Sequence, residues 1–305
     1  MRLASLCYRA LQRLRITAFA RRLSSRALVL CYHNVTPTDD PTSRDSLGLH
    51  MPLSTFARQM RWLARTYNVV PLAELVNCVA NSSPRQRLAA VTFDDGYQGF
   101  FEFAWPLLKK LGIPATVFLV GNAPFGEEVF WWESPEVRRA YSPSRLENWL
   151  TAQGGDGETI LATLERNSLP ADPVPVYKKP AAWQTIAAAA KDGLQLGAHS
   201  LSHRSLSNLD DHELKQELVA SRDVIRKHTG VTAEFFAYPY GLWNGRVRDA
   251  ACRAGYRAAF TLDYSDGSST TDPWALPRLN VPASISDPAF QAWTAGLNLR
   301  GRRGV

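Results

Sequence analysis

The run Leu88-Ala89-Ala90-Val91-Thr92-Phe93-Asp94-Asp95-Gly96 decides the fold: a short, almost wholly apolar segment stops abruptly at two adjacent carboxylates and a glycine. A run of that length bounded by a turn signal reads as a buried strand, with the acidic pair just past its C-terminal end. The same arrangement recurs along the chain. The apolar segment 27–32 runs into His33-Asn34, segment 194–199 ends in His199-Ser200-Leu201-Ser202-His203, and segment 234–237 leads into Tyr238-Pro239-Tyr240-Gly241. Further strands are expected at 69–70, 115–120, 258–262 and 276–281. Helical spacing falls at 54–67, 72–79, 100–111, 183–191, 210–228 and 247–254. Strands alternating with helices specify an α/β fold, a parallel sheet with helices outside, and polar residues gathered after the strands mark the rim where such folds place their sites. The irregular stretch at about 121–180, with Trp131, Trp132 and Trp149, reads as an insertion carrying one or two helices, since a structureless loop of that length is uncommon.

The 305 residues carry a net charge of +7, but the excess is local. Residues 1–26 hold seven arginines and no acid, and Arg300, Arg302 and Arg303 close the chain. Residues 27–299 hold 25 basic and 28 acidic residues, a net of −3. A body of that balance with no nucleic-acid motif argues against a nucleic-acid partner. The chain therefore divides into a basic arm (1–26), a body (27–299) and a basic tail (300–305). In the arm, Leu3, Leu6, Cys7, Ala10, Leu11 and Leu14 share one helical face flanked by arginines, the pattern of a helix lying on an anionic membrane surface. The other reading is a helix packed on the body with solvated arginines. Arginines interrupt any signal-peptide core, and no stretch reaches the length of a membrane span. With four scattered cysteines, the expected location is cytoplasmic, peripheral on the inner membrane.

Two carboxylates at a strand end are costly when both are buried and charged, and a cation would relieve that cost. His199 and His203 are four residues apart, so on a helical turn they face one way and suit a divalent metal with a carboxylate as third ligand. Taken alone, an Asp-Asp-Gly turn or a His pair is weak; together, each after an expected strand, they are more specific. His50 and His212 lie in polar surroundings and read as solvated. Trp131, Trp132 and Trp243 read either as buried aromatics or as stacking platforms for sugar rings.

These residues resemble the polysaccharide deacetylases, the NodB-homology carbohydrate esterases, from about residue 27 to 283. Thr92-Phe93-Asp94-Asp95-Gly96 is similar to that family's first motif, His199-Ser200-Leu201-Ser202-His203 to its second, and Phe236-Ala237-Tyr238-Pro239-Tyr240-Gly241 to its third. The resemblance implies a distorted (β/α) barrel of the NodB type. It implies Asp94 as catalytic base and Asp95, His199 and His203 as ligands of a divalent cation, most simply Zn²⁺, with other divalent ions compatible. Tyr238, Pro239, Tyr240 and Trp243 would line the substrate groove, the Tyr240 backbone N–H meeting the oxyanion. Three family features are missing, one of them a recognisable Asp-Trp motif. The third motif has Ala237 where an arginine usually orients the base, and the C-terminal Leu-x-His that supplies the acid is replaced by Leu276-Pro277-Arg278-Leu279. Arg278 is the candidate partner for Asp94. His33 is the candidate general acid, by resemblance to a poly-N-acetylglucosamine deacetylase branch with a permuted acid histidine.

The expected function is metal-dependent N-deacetylation of an N-acetylated glycan or lipid-linked sugar in exopolysaccharide or cell-surface glycan synthesis. The alternative is a catalytically impaired glycan-binding or scaffolding protein that keeps the fold.

Overall fold

In this computed structural model, residues 2–24, 27–37, 47–81, 87–123, 129–164, 173–264 and 272–298 are described, with side chains from residue 6 onward. The basic tail 300–305, Arg26 and most of the proline-rich loop before residue 47 lie outside them.

The strands are β1 (Leu28–Tyr32), β2 (Asn34–Thr36), β3 (His50–Pro52), β4 (Asn68–Val69), β5 (Leu88–Phe93), β6 (Ala115–Leu119), β7 (Gln195–Ala198), β8 (Phe235–Ala237), β9 (Ala258–Thr261), β10 (Leu276–Pro277) and β11 (Leu279–Asn280). The α-helices are α1 (Arg2–Arg13), α2 (Ile16–Leu23), α3 (Leu53–Thr66), α4 (Leu72–Ala80), α5 (Trp105–Leu111), α6 (Pro135–Ala140), α7 (Pro143–Thr151), α8 (Gly157–Ala162), α9 (Trp183–Lys191), α10 (Asp211–Thr229), α11 (Gly245–Arg253) and α12 (Asp287–Thr294).

Nine strands form one sheet in the order β10-β9-β8-β7-β6-β5-β1-β11, with β4 also on β5, and its pairings are parallel. The two ends of that order are neighbours in sequence. β10 pairs with β9, β11 pairs with β1, and only Arg278 separates them. The sheet is thus a nearly closed barrel whose seam is spanned by one residue. Because the strands run parallel, His33, Asp94, His199 and Tyr238 leave the ends of β1, β5, β7 and β8 on the same rim. The strands are buried along nearly their whole length, which is why they read as continuous apolar runs rather than alternating ones.

Three parts differ from the sequence expectation. The insertion holds three short helices, α6 to α8, rather than one or two, each started by a side-chain cap from Ser134, Ser142 or Asp156. The stretch after β1, where no strand is expected, contains a two-stranded parallel ribbon, β2 with β3, whose three-residue strands are too short to carry a period. Helix α12 follows the last strand and is the seat of the basic arm.

Tyr8 of α1 is 2% exposed, and Trp293 of α12 donates its indole N–H to the Tyr8 hydroxyl at 2.8 Å. Gln12 bonds Gln291, and the Arg21 guanidinium lies 4.9 Å over the Trp62 ring. The docked face is therefore Tyr8, with Leu11 half-buried and Thr17 buried, while Leu6, Cys7, Ala10 and Leu14 of the apolar stripe point outward. Replacing Tyr8 with Ala should lower unfolding free energy by about 3 kcal/mol through a large-to-small cavity. Tyr8→Phe should lose only about 1 kcal/mol, the hydrogen bond alone. Denaturant titration of the two variants checks the arm as part of the fold; equal stability of Tyr8→Ala and the parent would refute it.

Candidate active site

Asp94 and Arg278 form a bidentate pair, Nη1 to Oδ1 at 2.6 Å and the second guanidinium nitrogen to Oδ2 at 2.7 Å, with Arg278 fully buried. Arg278 also donates to the Thr92 hydroxyl and the Thr261 carbonyl. The Cys31 thiol donates to Asp94 Oδ2 at 3.3 Å. Burial opposes ionisation of Asp94, but the guanidinium outweighs it and holds the carboxyl below its ordinary value. The arginine absent from the third motif is thus replaced in space by one from the barrel seam.

Asp95 sits beside this pair in a left-handed conformation, φ 71°, and its Oδ1 is buried without a hydrogen-bond partner. That oxygen lies 3.6 Å from His199 Nε2 and 3.5 Å from His203 Nε2, and the two nitrogens are 3.2 Å apart. A tetrahedral zinc with bonds of about 2.0–2.1 Å holds its ligand atoms about 3.3–3.4 Å apart, so the three atoms fit the edges of one coordination shell. The far ring nitrogens are committed elsewhere. His199 Nδ1 bonds the Ala237 carbonyl at 2.8 Å, and His203 Nδ1 bonds the Tyr240 hydroxyl at 3.0 Å, leaving Nε2 of each directed at Asp95. Burial lowers the basicity of both imidazoles, keeping them neutral and ready to ligate. Burial and the neighbouring charges of Asp94 and Glu133 push the Asp95 carboxyl up, the situation a bound cation would reverse.

The loop carrying the two histidines is held from outside the sheet. Glu217 of α10 accepts the backbone N–H groups of Leu201 and Ser202 at 2.9 Å and bonds the Ser202 hydroxyl. Six described non-glycine residues have positive φ, and four of them, Asp95, Ser200, His203 and Tyr240, converge here. Such backbone costs free energy, and it persists where packing and hydrogen bonds over-determine it.

His33 is half-buried, and with Cys31 and Asp94 it forms a cluster whose polar atoms lie within 4.8 Å of one another. In the third motif, the positive φ of Tyr240 turns its side chain toward His203 rather than outward. Tyr238 and Pro239 are buried, and the Tyr238 hydroxyl donates to the Trp274 carbonyl, so Tyr238 supports the loop. Trp243 is half-buried, stacks near Tyr238 and bonds Asp263. His50, expected to be solvated, is instead 7% exposed and paired with Glu133 at 2.9 Å. Trp132 is 6% exposed, with its ring centroid 4.5 Å from that of His203.

A barrel rim with an arginine-locked carboxylate beside an Asp-His-His triad defines a hydrolase of the polysaccharide deacetylase type. The chain belongs to that family: the polysaccharide deacetylase model matches residues 81–259, more than half of it. Members hydrolyse N-acetyl amide bonds. The chain is 21% identical over 267 residues to YxkH of Bacillus subtilis (strain 168), which carries a polysaccharide deacetylase name; the match covers 87% of this chain and 75% of that one. It is 23% identical over 281 residues to the poly-beta-1,6-N-acetyl-D-glucosamine N-deacetylase of Staphylococcus aureus (strain MSSA476), covering 87% and 80%. Among solved structures, the Streptococcus pyogenes deacetylase PplD shares the fold with a TM-score of 0.62 at 18% identity, covering 88% of this chain and 97% of that one.

Ligation requires an ionised Asp95 and neutral imidazoles, so protons compete with the metal. Added Zn²⁺ should raise the melting temperature more at about pH 7.5 than at about pH 5.5. An equal rise at both, read by scanning calorimetry, would count against the triad.

Proposed function

We propose that this chain removes acetyl groups from the amino sugars of an N-acetylated glycan or lipid-linked sugar, with Asp95, His199 and His203 holding a divalent cation, most simply Zn²⁺. The observation that carries this is the convergence of three ligand atoms within 3.6 Å beside an Asp94 already fixed by Arg278. A cation bound there would polarise the acetyl carbonyl and acidify the attacking water, which is what lets a base as weak as Asp94 accept its proton. Arg278 keeps Asp94 ionised and fixes the direction of both its oxygens, so the base is in the form that can take a proton. His33, half-open to solvent on the neighbouring strand, donates a proton to the departing sugar nitrogen. The products balance as acetate and the free amine. The Tyr240 backbone N–H is assigned to the developing oxyanion, and Trp243 to the groove beside it. The impaired-protein alternative rests on the missing third-motif arginine and the missing Leu-x-His; the Arg278–Asp94 pair and His33 beside Asp94 weigh against it.

The same proposal places the enzyme at an anionic membrane surface. Leu6, Leu14, Phe19 and Leu23 are 62–70% exposed on the docked arm, beside the exposed Arg9, Arg13, Arg15 and Arg22. That combination matches an interfacial helix, and among the described residues no helix is long and apolar enough to span a bilayer.

Acetate release from N-acetylated β-linked glucosamine oligomers tests the chemistry. Asp94→Asn should lower kcat by about 10²–10⁴-fold, as should His33→Ala, the range for loss of a general base or acid. Unchanged release in Asp94→Asn refutes the mechanism. For the arm, Leu14→Asp with Phe19→Asp should abolish co-sedimentation with phosphatidylglycerol vesicles while leaving release from soluble oligomers intact. Charge substitution is the right test because deleting the arm would also uncover α12.

A further inference from the structure

A second buried polar cluster lies behind the metal triad, and none of the three motifs accounts for it. Glu133, in the short helical turn Trp131–Glu133 of the insertion, is 3% exposed. Its Oε1 accepts the Tyr97 hydroxyl at 2.8 Å and pairs with His50 Nε2 at 2.9 Å. The Tyr97 hydroxyl in turn accepts the indole N–H of Trp132 at 2.7 Å. The proton on His50 can be placed. Asn34 Oδ1 accepts the Val35 N–H and Asn34 Nδ2 donates to the Tyr177 carbonyl, which fixes the amide's orientation. The same Nδ2 faces His50 Nδ1 at 3.0 Å, so Nδ1 accepts and the proton sits on Nε2, directed at Glu133. Burial opposes ionisation of Glu133, but His50, then Tyr97 and lastly Lys178, also 3% exposed, hold its carboxyl below the ordinary value.

Burying a carboxylate is expensive unless donors converge on it, and here they come from His50 of β3 and Tyr97 of the loop after β5. What the cluster holds in place is Trp132. Its ring stacks on Phe130 at 4.7 Å and 11° and lies with its centroid 4.5 Å from that of His203, while Tyr240 contacts His203 at 4.5 Å and bonds its Nδ1. His203 comes from a loop with positive φ, so its ring direction needs support from its neighbours.

We propose that Glu133 is a positioning residue for the metal centre: through Tyr97 and His50 it fixes Trp132 as the wall that keeps the His203 imidazole in its ligating orientation. This rests on the assignment of Asp95, His199 and His203 as the metal ligands. It makes the insertion, rather than the barrel alone, a determinant of metal affinity. Trp132, one of the aromatics considered for sugar stacking, is then a support for a ligand.

The test is zinc affinity of the full chain, by competition with a chromophoric chelator, together with the visible spectrum of the cobalt(II)-substituted protein, which reports ligand geometry. Glu133→Leu should weaken zinc binding by about 10–100-fold, the range for loss of an outer-shell partner, and should alter the cobalt spectrum. Tyr97→Phe keeps the ring but cuts the link between Glu133 and Trp132, and should shift both readouts in the same direction. Trp132→Phe keeps a wall and should stay closer to the parent than Trp132→Ala. If Glu133→Leu fails to fold, Tyr97→Phe decides. Parental affinity and spectrum in the decisive variant, with zinc binding lost in His203→Ala, overturn the positioning role while leaving the triad intact. Zinc binding retained in His203→Ala overturns the triad itself.

Discussion

The buried pair between Arg278 and Asp94 is the interaction on which the rest of the site depends. Arg278 is among the largest fully buried side chains, and its guanidinium is spent on two carboxylate oxygens, a hydroxyl, a backbone carbonyl and the face of Phe118 at 5.1 Å. Two charges taken out of water on this scale are tolerated only with such geometry, and removing one partner would strand the other at a cost of about 3–5 kcal/mol. Because Arg278 is also the single residue between β10 and β11, the closure of the barrel and the fixing of the Asp94 carboxylate are one event. The thiol of Cys31, on the strand facing the seam, completes the shell around Asp94. The cation missing from the third motif at Ala237 is supplied beside Asp94 by the residue at the barrel seam.

Around that pair the site is built from neutral imidazoles and an orphaned carboxylate oxygen. The polar groups behind the ligands are directional. The Ala237 carbonyl fixes His199, the Tyr240 hydroxyl fixes His203, and Glu217 braces the backbone between them. This explains why unusual backbone conformations gather at the rim: the loop geometry that lets Asp95 and His203 face each other is held by bonds to elements outside it.

Much of this was legible in the sequence, because the strands are continuous apolar runs and each ends in residues of distinct chemistry. The order β1, β5, β7, β8 and the gathering of Asp94, Asp95, His199 and His203 followed from that pattern alone with the family resemblance. Arg278 could be nominated as a partner of Asp94 because it follows a strand-like run, but the bidentate geometry could not be read from spacing. The cluster of His50, Tyr97 and Glu133 was not legible. Its members sit in a three-residue strand, a turn and an irregular insertion, and no local period connects them. The solvated reading of His50 overlooks its apolar flanks, Leu49 and Met51, and its neighbours in space are Glu133 and Asn34. A helix packed on the body was one of two readings of the arm, but the packed face was hidden: Tyr8 carries the contact, and it lies off the apolar stripe that the helical period picks out.

The seam also sets an order of events during synthesis. Asp94 and Arg278 are 184 residues apart, and Tyr8 and Trp293 are 285 apart. On a ribosome that extends the chain from its N-terminus, β1, β5, β6 and β7 and all three triad ligands emerge well before the strand that joins the two ends of the sheet. Until residue 278 is free of the exit tunnel, Asp94 is a carboxylate awaiting its cation, and the arm has no helix α12 to settle on. The Asp94–Arg278 pair and the seated arm can both form only after residues 278 and 293 have been made.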